Sequence, residues 1–179
     1  MNWTLPSKVI VQGITEPKGA YYARKMKAYG TKIIAGIGIG GGGQTIEDIP
    51  VFELVDRAIE QVGEVTTTLI FVQPYQVLDA ALEAIAANIK QILILTSGVP
   101  PLDMVILLKK AKMADTLIVG PSSGGIRVPE KVLLGTIEPS FYTPGYIGLI
   151  SCCNPLSYEV ALALNEAGLG QSIVISVGT

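Results

Sequence analysis

Short apolar runs alternate with stretches of helical period along most of this chain. Val9-Ile10-Val11 reads as a buried strand, followed by a turn over residues 13–19 and a helix over 20–29 that Gly30 stops. A second strand at 32–36 runs into the glycine-rich segment 38–43. Helices are expected at 53–62, 79–89 and 102–112, and strands at 67–72, 91–96 and 116–119. Leu82, Ile85, Ala86 and Ile89 share one face of the third helix. Strand–helix–strand alternation at this spacing predicts right-handed crossovers and a mostly parallel sheet with helices on both faces.

After Gly120-Pro121 the pattern changes. Pro, Gly and Ser dominate, with one short apolar run at Val132-Leu133-Leu134, and a further βαβ unit follows at 146–151, 156–167 and 172–177. The expected organisation is a Rossmann-like domain over 1–125, a linker over 126–145, and a partial flavodoxin-type domain over 146–179. Two strands and one helix cannot cover both faces of their sheet. The last segment is therefore expected to bury itself against a homo-oligomeric copy or a partner, unless the first domain folds back over it.

Composition narrows the chemistry. The chain has 179 residues, 49% of them apolar, which suits strands buried on both faces. The most apolar stretch, 91–108, is interrupted by Ser97, Gly98, Pro100, Pro101 and Asp103, so no membrane span is expected. Met1-Asn2-Trp3-Thr4-Leu5-Pro6 lacks the charged head and apolar centre of a secretion signal, and a cytoplasmic protein is expected. A net charge of −2 offers no basic field for nucleic acid. Lys18, Arg24, Lys25, Lys27 and Lys32 read as a solvated helix face rather than a phosphate patch. Cys152 and Cys153 are adjacent, which excludes a disulfide framework and gives no zinc spacing. The chain contains no histidine, so a histidine base, metal ligand or phosphohistidine is absent from it.

The first strand–helix turn, Gly13-Ile14-Thr15-Glu16-Pro17-Lys18-Gly19, aims backbone N–H groups at an anion, although Glu16 stands where a second glycine would let phosphate approach. The 38–43 segment lacks the Gly-Lys-Ser/Thr ending of a P-loop. At the end of the second strand it should nevertheless face the same crevice as the first turn. The stretch 36–43 offers no acidic residue for a ribose, which counts against a dinucleotide such as NAD. Glu16, Asp79, Glu83, Asp103 and Glu159 show no catalytic pairing and read as solvated. Ser122-Ser123-Gly124-Gly125 and Ser151-Cys152-Cys153-Asn154 follow strands and could line a site; the alternative is ordinary turn chemistry, with Asn154 capping a helix whose first residue is Pro155.

The order of several segments resembles the alpha subunit of succinyl-CoA synthetases (succinate–CoA ligases). These are Val9 to Thr15, Ala28 to Lys32, Ile49-Pro50-Val51-Phe52, Leu82 to Ile85, Gly98-Val99-Pro100 with Asp103-Met104, Gly120-Pro121, Gly145 to Ser151, Leu156-Ser157-Tyr158-Glu159 and Gly168 to Ser172. The resemblance implies a coenzyme-A-binding first domain and a following flavodoxin-like domain. Gly13, Thr15, Glu16, Pro17, Lys18 and Gly19 would lie at the CoA phosphates, with Gly41 in the loop after the second strand. Phe71 would stand near the adenine, Leu95, Thr96 and Ser97 against CoA, and Tyr158 beside an organic-acid substrate. A beta-like ATP-grasp subunit is the implied partner.

The departures are equally specific. Glu16 replaces a glycine, Gly41 a lysine and Ser97 a glutamate, while Ser151-Cys152-Cys153-Asn154 replaces Ser-Arg-Ser-Gly. They imply CoA binding that is weak or lost. The expected function is a CoA-binding alpha-like component of an acid–CoA ligase, not catalytically complete alone. The alternative is a non-catalytic Rossmann-type interaction or regulatory protein of the same descent.

Overall fold

The computed structural model describes residues 8–178. The N-terminal segment read above for a secretion signal and the last residue of the expected 146–179 domain lie outside the described residues. Seven strands form the first sheet: β1 (Val9–Gln12), β2 (Ile33–Ile37), β3 (Thr45–Ile46), β4 (Ile49–Phe52), β5 (Thr67–Ile70), β6 (Gln91–Ile94) and β7 (Leu117–Val119). Their order is β3-β4-β2-β1-β5-β6-β7, and all neighbours are parallel except the β3–β4 hairpin. The chain thus winds outward from β1 in both directions, as a Rossmann-like doubly wound sheet does.

The buried apolar side chains of these strands fall into two cores, because successive residues point to opposite faces. Ile10, Ile70, Ile92 and Ile94 bury against α2 (Val55–Val62), α3 (Val77–Ala86) and α4 (Pro101–Met113). Val9, Val11, Leu69, Leu93 and Val119 face the other way, into a core that α1 (Pro17–Ala28) covers only around β1 and β2. Helix α1 starts at Pro17, three residues before the expected start. A proline is tolerated at the first helical position, where its missing N–H has no intrahelical partner. Its buried residues, Gly19, Ala23 and Met26, form one stripe at helical spacing.

The expected linker is corrected by the structure. Within 125–145 lie β8 (Gly125–Val128) and β9 (Val132–Gly135), which join β10 (Pro144–Ser151) and β11 (Gln171–Ser176) in a second sheet of order β10-β11-β8-β9. The physical reason is the outer half of the first sheet, which a single helix, α1, cannot cover. Ile126, Leu134 and Val174 share one core with Val11, Met26 and Leu93. The expected βαβ unit is present as β10, α5 (Asn154–Glu166) and β11, with β10 and β11 parallel. Of the outcomes left open for this segment, fold-back within the chain is the one observed for β11. Strand β10 remains an edge, alternating exposed and half-buried along its length, with Tyr146 and Ile150 outside.

Arg127 fastens the two sheets together. It is 4% exposed and lies 5.2 and 5.3 Å from the ring centroids of Tyr29 and Tyr142. Its guanidinium donates to the Tyr29 hydroxyl at 3.0 Å and to the carbonyls of Pro139 and Tyr142. On the far side of α1, Arg24, Lys25 and Lys27 pair with Glu47, Glu138 and Asp48. The basic face is solvated, and three of its cations also form surface ion pairs with the β3–β4 turn and with Glu138 beyond β9.

Replacing Arg127 by alanine removes charge-assisted hydrogen bonds and the cation from between two rings. The variant should lose about 3 kcal/mol of unfolding free energy. Urea denaturation followed by circular dichroism measures this, and a loss below about 1 kcal/mol would show that the arginine does not fasten the sheets.

Candidate functional site

The connections that leave β1 and β5 turn to opposite faces of the sheet, toward α1 and α3, and the turn between β1 and α1 sits at that switch point. Two glycines make the turn possible. A Cβ on Gly19 would lie 2.0 Å from the Gly13 carbonyl oxygen, and Gly13 has φ +84° with Val72 N 2.7 Å from where its Cβ would be. The helix start is thus pressed directly onto the strand end. Glu16 occupies the N-cap position but makes no capping bond with its side chain. Its carboxylate instead accepts from Gln73 Nε2 at 3.0 Å. This contact bridges the crevice and divides it into two clefts.

The first cleft has a volume of about 770 Å³ and runs from the α1 start along β5 and β6 to the start of α5. Glu16, Pro17, Lys18, Phe71, Leu95, Thr96 and Ser97 line it, all seven being expected site residues. Thr96 is fixed by donating to the Val72 carbonyl at 2.7 Å. Phe71 stacks on Tyr22, their centroids 6.0 Å apart, to make an aromatic wall. Lys18 supplies the cleft's positive charge.

The far end of this cleft is formed by the two segments for which the sequence leaves a site lining and ordinary turns both open, together with Thr136. Ser122, Ser123, Thr136 and Asn154 line it. Asn154 is the first residue of α5, with Cys153 at the cap position, and its side chain makes no capping bond. Its Oδ1 is buried without a hydrogen-bond partner among the described residues. Gly124 makes room for it, since a Cβ there would lie 2.5 Å from Asn154 Oδ1. Ser123 is held by donating to the Ser176 carbonyl.

The second cleft, about 830 Å³, opens over the carboxyl end of β2, with Gln12, Gly13, Thr15 and Glu16 on one side and Gly38 and Ile39 on another. Gln12 is buried beneath it, accepting from Thr68 Oγ1 at 2.9 Å and donating to the Ala80 carbonyl at 2.9 Å. The two glycine loops do meet here. A Cβ on Gly38 would lie 2.4 Å from Thr15 Cγ2, and one on Gly41 would lie 3.0 Å from the Thr15 and Val51 methyl groups.

Acidic residues on this cleft correct two expectations. Glu16, Asp79 and Glu83, read as separate solvated carboxylates, line it together with Glu53 and Asp56. An acidic residue does therefore stand at the end of β2, although none occurs in 36–43. Glu53 arrives from the far end of the β3–β4 hairpin, where its side chain abuts Gly42. Glu83 Oε1 accepts from the Val55 N–H at 2.8 Å and so caps α2, whose own cap residue, Leu54, makes no side-chain cap bond. Burial holds the Glu83 carboxyl above its ordinary range, with the Val55 N–H opposing.

Tyr158 stands apart from both clefts. It stacks on Phe141 at 4.5 Å and meets Tyr142 edge-on at 5.9 Å, under the second sheet. Cys152 and Cys153 are exposed and free beside the start of α5. Among the described residues no group of histidine, cysteine and carboxylate side chains could hold a metal ion, and no helix is long and apolar enough to cross a membrane.

Comparison with known proteins gives a consistent picture. Residues 4–98 match the family described as CoA binding domain. The chain is 38% identical over 174 residues to the malate–CoA ligase subunit alpha of Methylorubrum extorquens, covering 95% of this chain and 58% of that one. It is 37% identical over 172 residues to a succinate–CoA ligase [ADP-forming] subunit alpha of Archaeoglobus fulgidus, covering 96% and 60%. The chain thus spans somewhat more than half the length of these relatives. Its fold is similar to that of an ATP citrate lyase from Methanothrix soehngenii solved with citrate and coenzyme A. The TM-score is 0.78 at 18% identity, over 96% of this chain and 31% of that one. A dinucleotide-forming acetyl-coenzyme A synthetase from Ca. Korarchaeum cryptofilum gives 0.77 at 18% identity, over 97% and 39%.

Two variants test this geometry. Gly19→Ala forces a methyl group into the Gly13 carbonyl and should cost about 3 kcal/mol or more in a denaturant titration. A near-neutral result would mean that the helix start is not pressed onto β1. For Glu83 the sign follows from its raised pKa. Stability present below the unfolded carboxyl's pKa is lost as pH rises through the higher folded value. Glu83→Gln keeps an acceptor for Val55 and discards the charge. It should melt no lower than the parent at pH 7 and flatten the pH profile just above the ordinary carboxylate range. A markedly lower melting temperature at pH 7 would show that the charge is needed.

Proposed function

This chain belongs to the CoA-binding domain family, among relatives of succinate–CoA ligase alpha subunits, and we propose that it is the CoA-holding part of an acid–CoA ligase. The observation that carries the reading is the divided crevice at the switch point, whose lining includes the side chains of the β1–α1 turn. A pyrophosphate bridging the two clefts would meet the backbone N–H groups of that turn, the positive end of α1, and Lys18. The adenosine half would occupy the cleft over β2, and the pantetheine arm the cleft over β5 and β6. Phe71 then flanks the arm rather than the adenine, because it lines the latter cleft with Tyr22. CoA brings a thiol that accepts an acyl group, and the arm would direct it toward Ser123, Thr136 and Asn154.

The fit is favourable at the buried end. An unpartnered Asn154 Oδ1 is an acceptor that a bound amide N–H could satisfy. Two clefts of this volume remain open despite Glu16 and Ser97, which favours a retained ligand over the purely structural alternative. Tyr158, locked among aromatic rings, supports the second sheet in this reading and would reach an acid substrate only by leaving that stack.

Without histidine, these 179 residues offer no phosphohistidine. Phosphoryl relay, nucleotide and metal would come from outside them, with a beta-like ATP-grasp subunit as the partner. Tyr146 and Ile150 on the β10 edge, with Leu156 and Val160 on α5, are exposed apolar residues available to such a partner.

Titration calorimetry on the purified chain should show CoA binding. Lys18→Ala should weaken it about tenfold to a hundredfold, the cost of one charge-assisted phosphate contact of roughly 1.5–3 kcal/mol. Unchanged affinity in the variant would remove the pyrophosphate from this turn. The chain alone, supplied with nucleotide, magnesium, succinate and CoA, should form no thioester. Reproducible succinyl-CoA formation by the pure protein would overturn the division of labour proposed here.

A further inference from the structure

The two clefts differ sharply in charge. Lys18 lines the first, whereas the cleft over β2 has five carboxylates, Glu16, Glu53, Asp56, Asp79 and Glu83, and no lysine or arginine among its lining residues. None of the five takes part in an ion pair among the described residues. Arg57, the nearest basic residue along α2, is turned to Glu60 at 2.9 Å. In doubly wound folds the end of β2 is where the adenosine ribose arrives. A carboxylate there accepts from free ribose hydroxyls, and a cation there accommodates a ribose phosphate. A phosphate on the ribose would stand among like charges in a half-enclosed space, where repulsion is less screened than in bulk water.

The loop after β2 cannot relieve this. Gly38 and Gly41 are buried against Thr15 and Val51, and the exposed Gly42 lies beside Glu53, so the loop brings backbone to the ribose but no positive side chain. From this arrangement, and resting on the CoA reading above, we infer that the ribose subsite is built for an adenosine diphosphate derivative whose ribose hydroxyls are unphosphorylated. Among CoA-type ligands it selects the 3′-dephospho form over CoA itself. Glu53 and Asp56 are the specificity-determining residues, accepting hydrogen bonds from the free hydroxyls and repelling a 3′-phosphate.

Calorimetric titration of the chain with CoA and with 3′-dephospho-CoA separates this inference from the function it rests on. The expected result is tighter binding of 3′-dephospho-CoA by roughly tenfold at low salt, with the gap narrowing as ionic strength screens the repulsion. Glu53→Lys, at an exposed position that tolerates the change, should close or reverse the preference. CoA binding equally well or better in the parent protein would overturn the inference and leave the CoA site standing. If neither compound binds, the proposed function itself falls, and the inference with it. A preference for 3′-dephospho-CoA that Glu53→Lys and salt both leave unchanged would remove the carboxylates as its cause.

Discussion

The contact of Gly19 with the Gly13 carbonyl is the constraint on which the rest of the site depends. Because no side chain separates them, α1 begins directly at the end of β1, and its first turn sits at the switch point between β1 and β5. A wider turn would move the helix start away from the switch point and merge the two clefts. With the turn this tight, Glu16 reaches Gln73 across the gap, and Thr15 packs against Gly38 and Gly41 on the other side. One backbone approach thereby sets the dividing wall and the loop geometry.

The same helix also determines what happens after residue 120. It covers the first sheet only around β1 and β2, leaving Leu93 and Val119 without a helix on that face. The second sheet fills this space through Ile126, Leu134 and Val174, and Arg127 locks it to Tyr29 at the C-terminal end of α1. The cost of burying a guanidinium is offset by three oxygen acceptors and two aromatic faces. As a result, the start of α5 is brought to the far end of the first cleft, so residues more than fifty positions apart, Thr96 and Asn154, line one cavity.

Much of the first sheet was legible in the sequence because its signals are local. Val9-Ile10-Val11, the 67–72 run and Gln91 onward are short apolar strands between helical periods, and the Gly13 and Gly38 loops announce one sheet edge. The second sheet was not legible for a reason of length and composition. Strands β8 and β9 have four residues each and are surrounded by Pro and Gly, and the pairing of β8 with β11 joins residues about fifty positions apart. The acidic cleft was hidden similarly. Each of Glu53, Asp79 and Glu83 looks solvated on its own helix or loop, and only the return of the β3–β4 hairpin places Glu53 beside the glycine loop. Asn154 looked like a helix cap because its sequence context fits one. Its side chain instead faces the cavity, since Gly124 leaves room there and Ser151 already engages the Cys153 backbone.

Gly41 illustrates how a departure from the family resemblance becomes part of a packed arrangement. It is buried, and even a methyl group there would press on both Thr15 and Val51, which would have to give by a few tenths of an ångström. The hairpin that carries Val51 also carries Glu53 to the cleft, two residues further on and just past the end of β4. Closing β4 onto the loop therefore crowds any side chain at 41 and delivers an anionic one at 53 in a single packing step. Glu53 is exposed beside Gly42 and is in no ion pair among the described residues, so its charge is available to a ligand. The sign of the charge at the end of β2 thus follows from how tightly β4 approaches the loop, and that sign is what separates this cleft from one suited to a phosphorylated ribose.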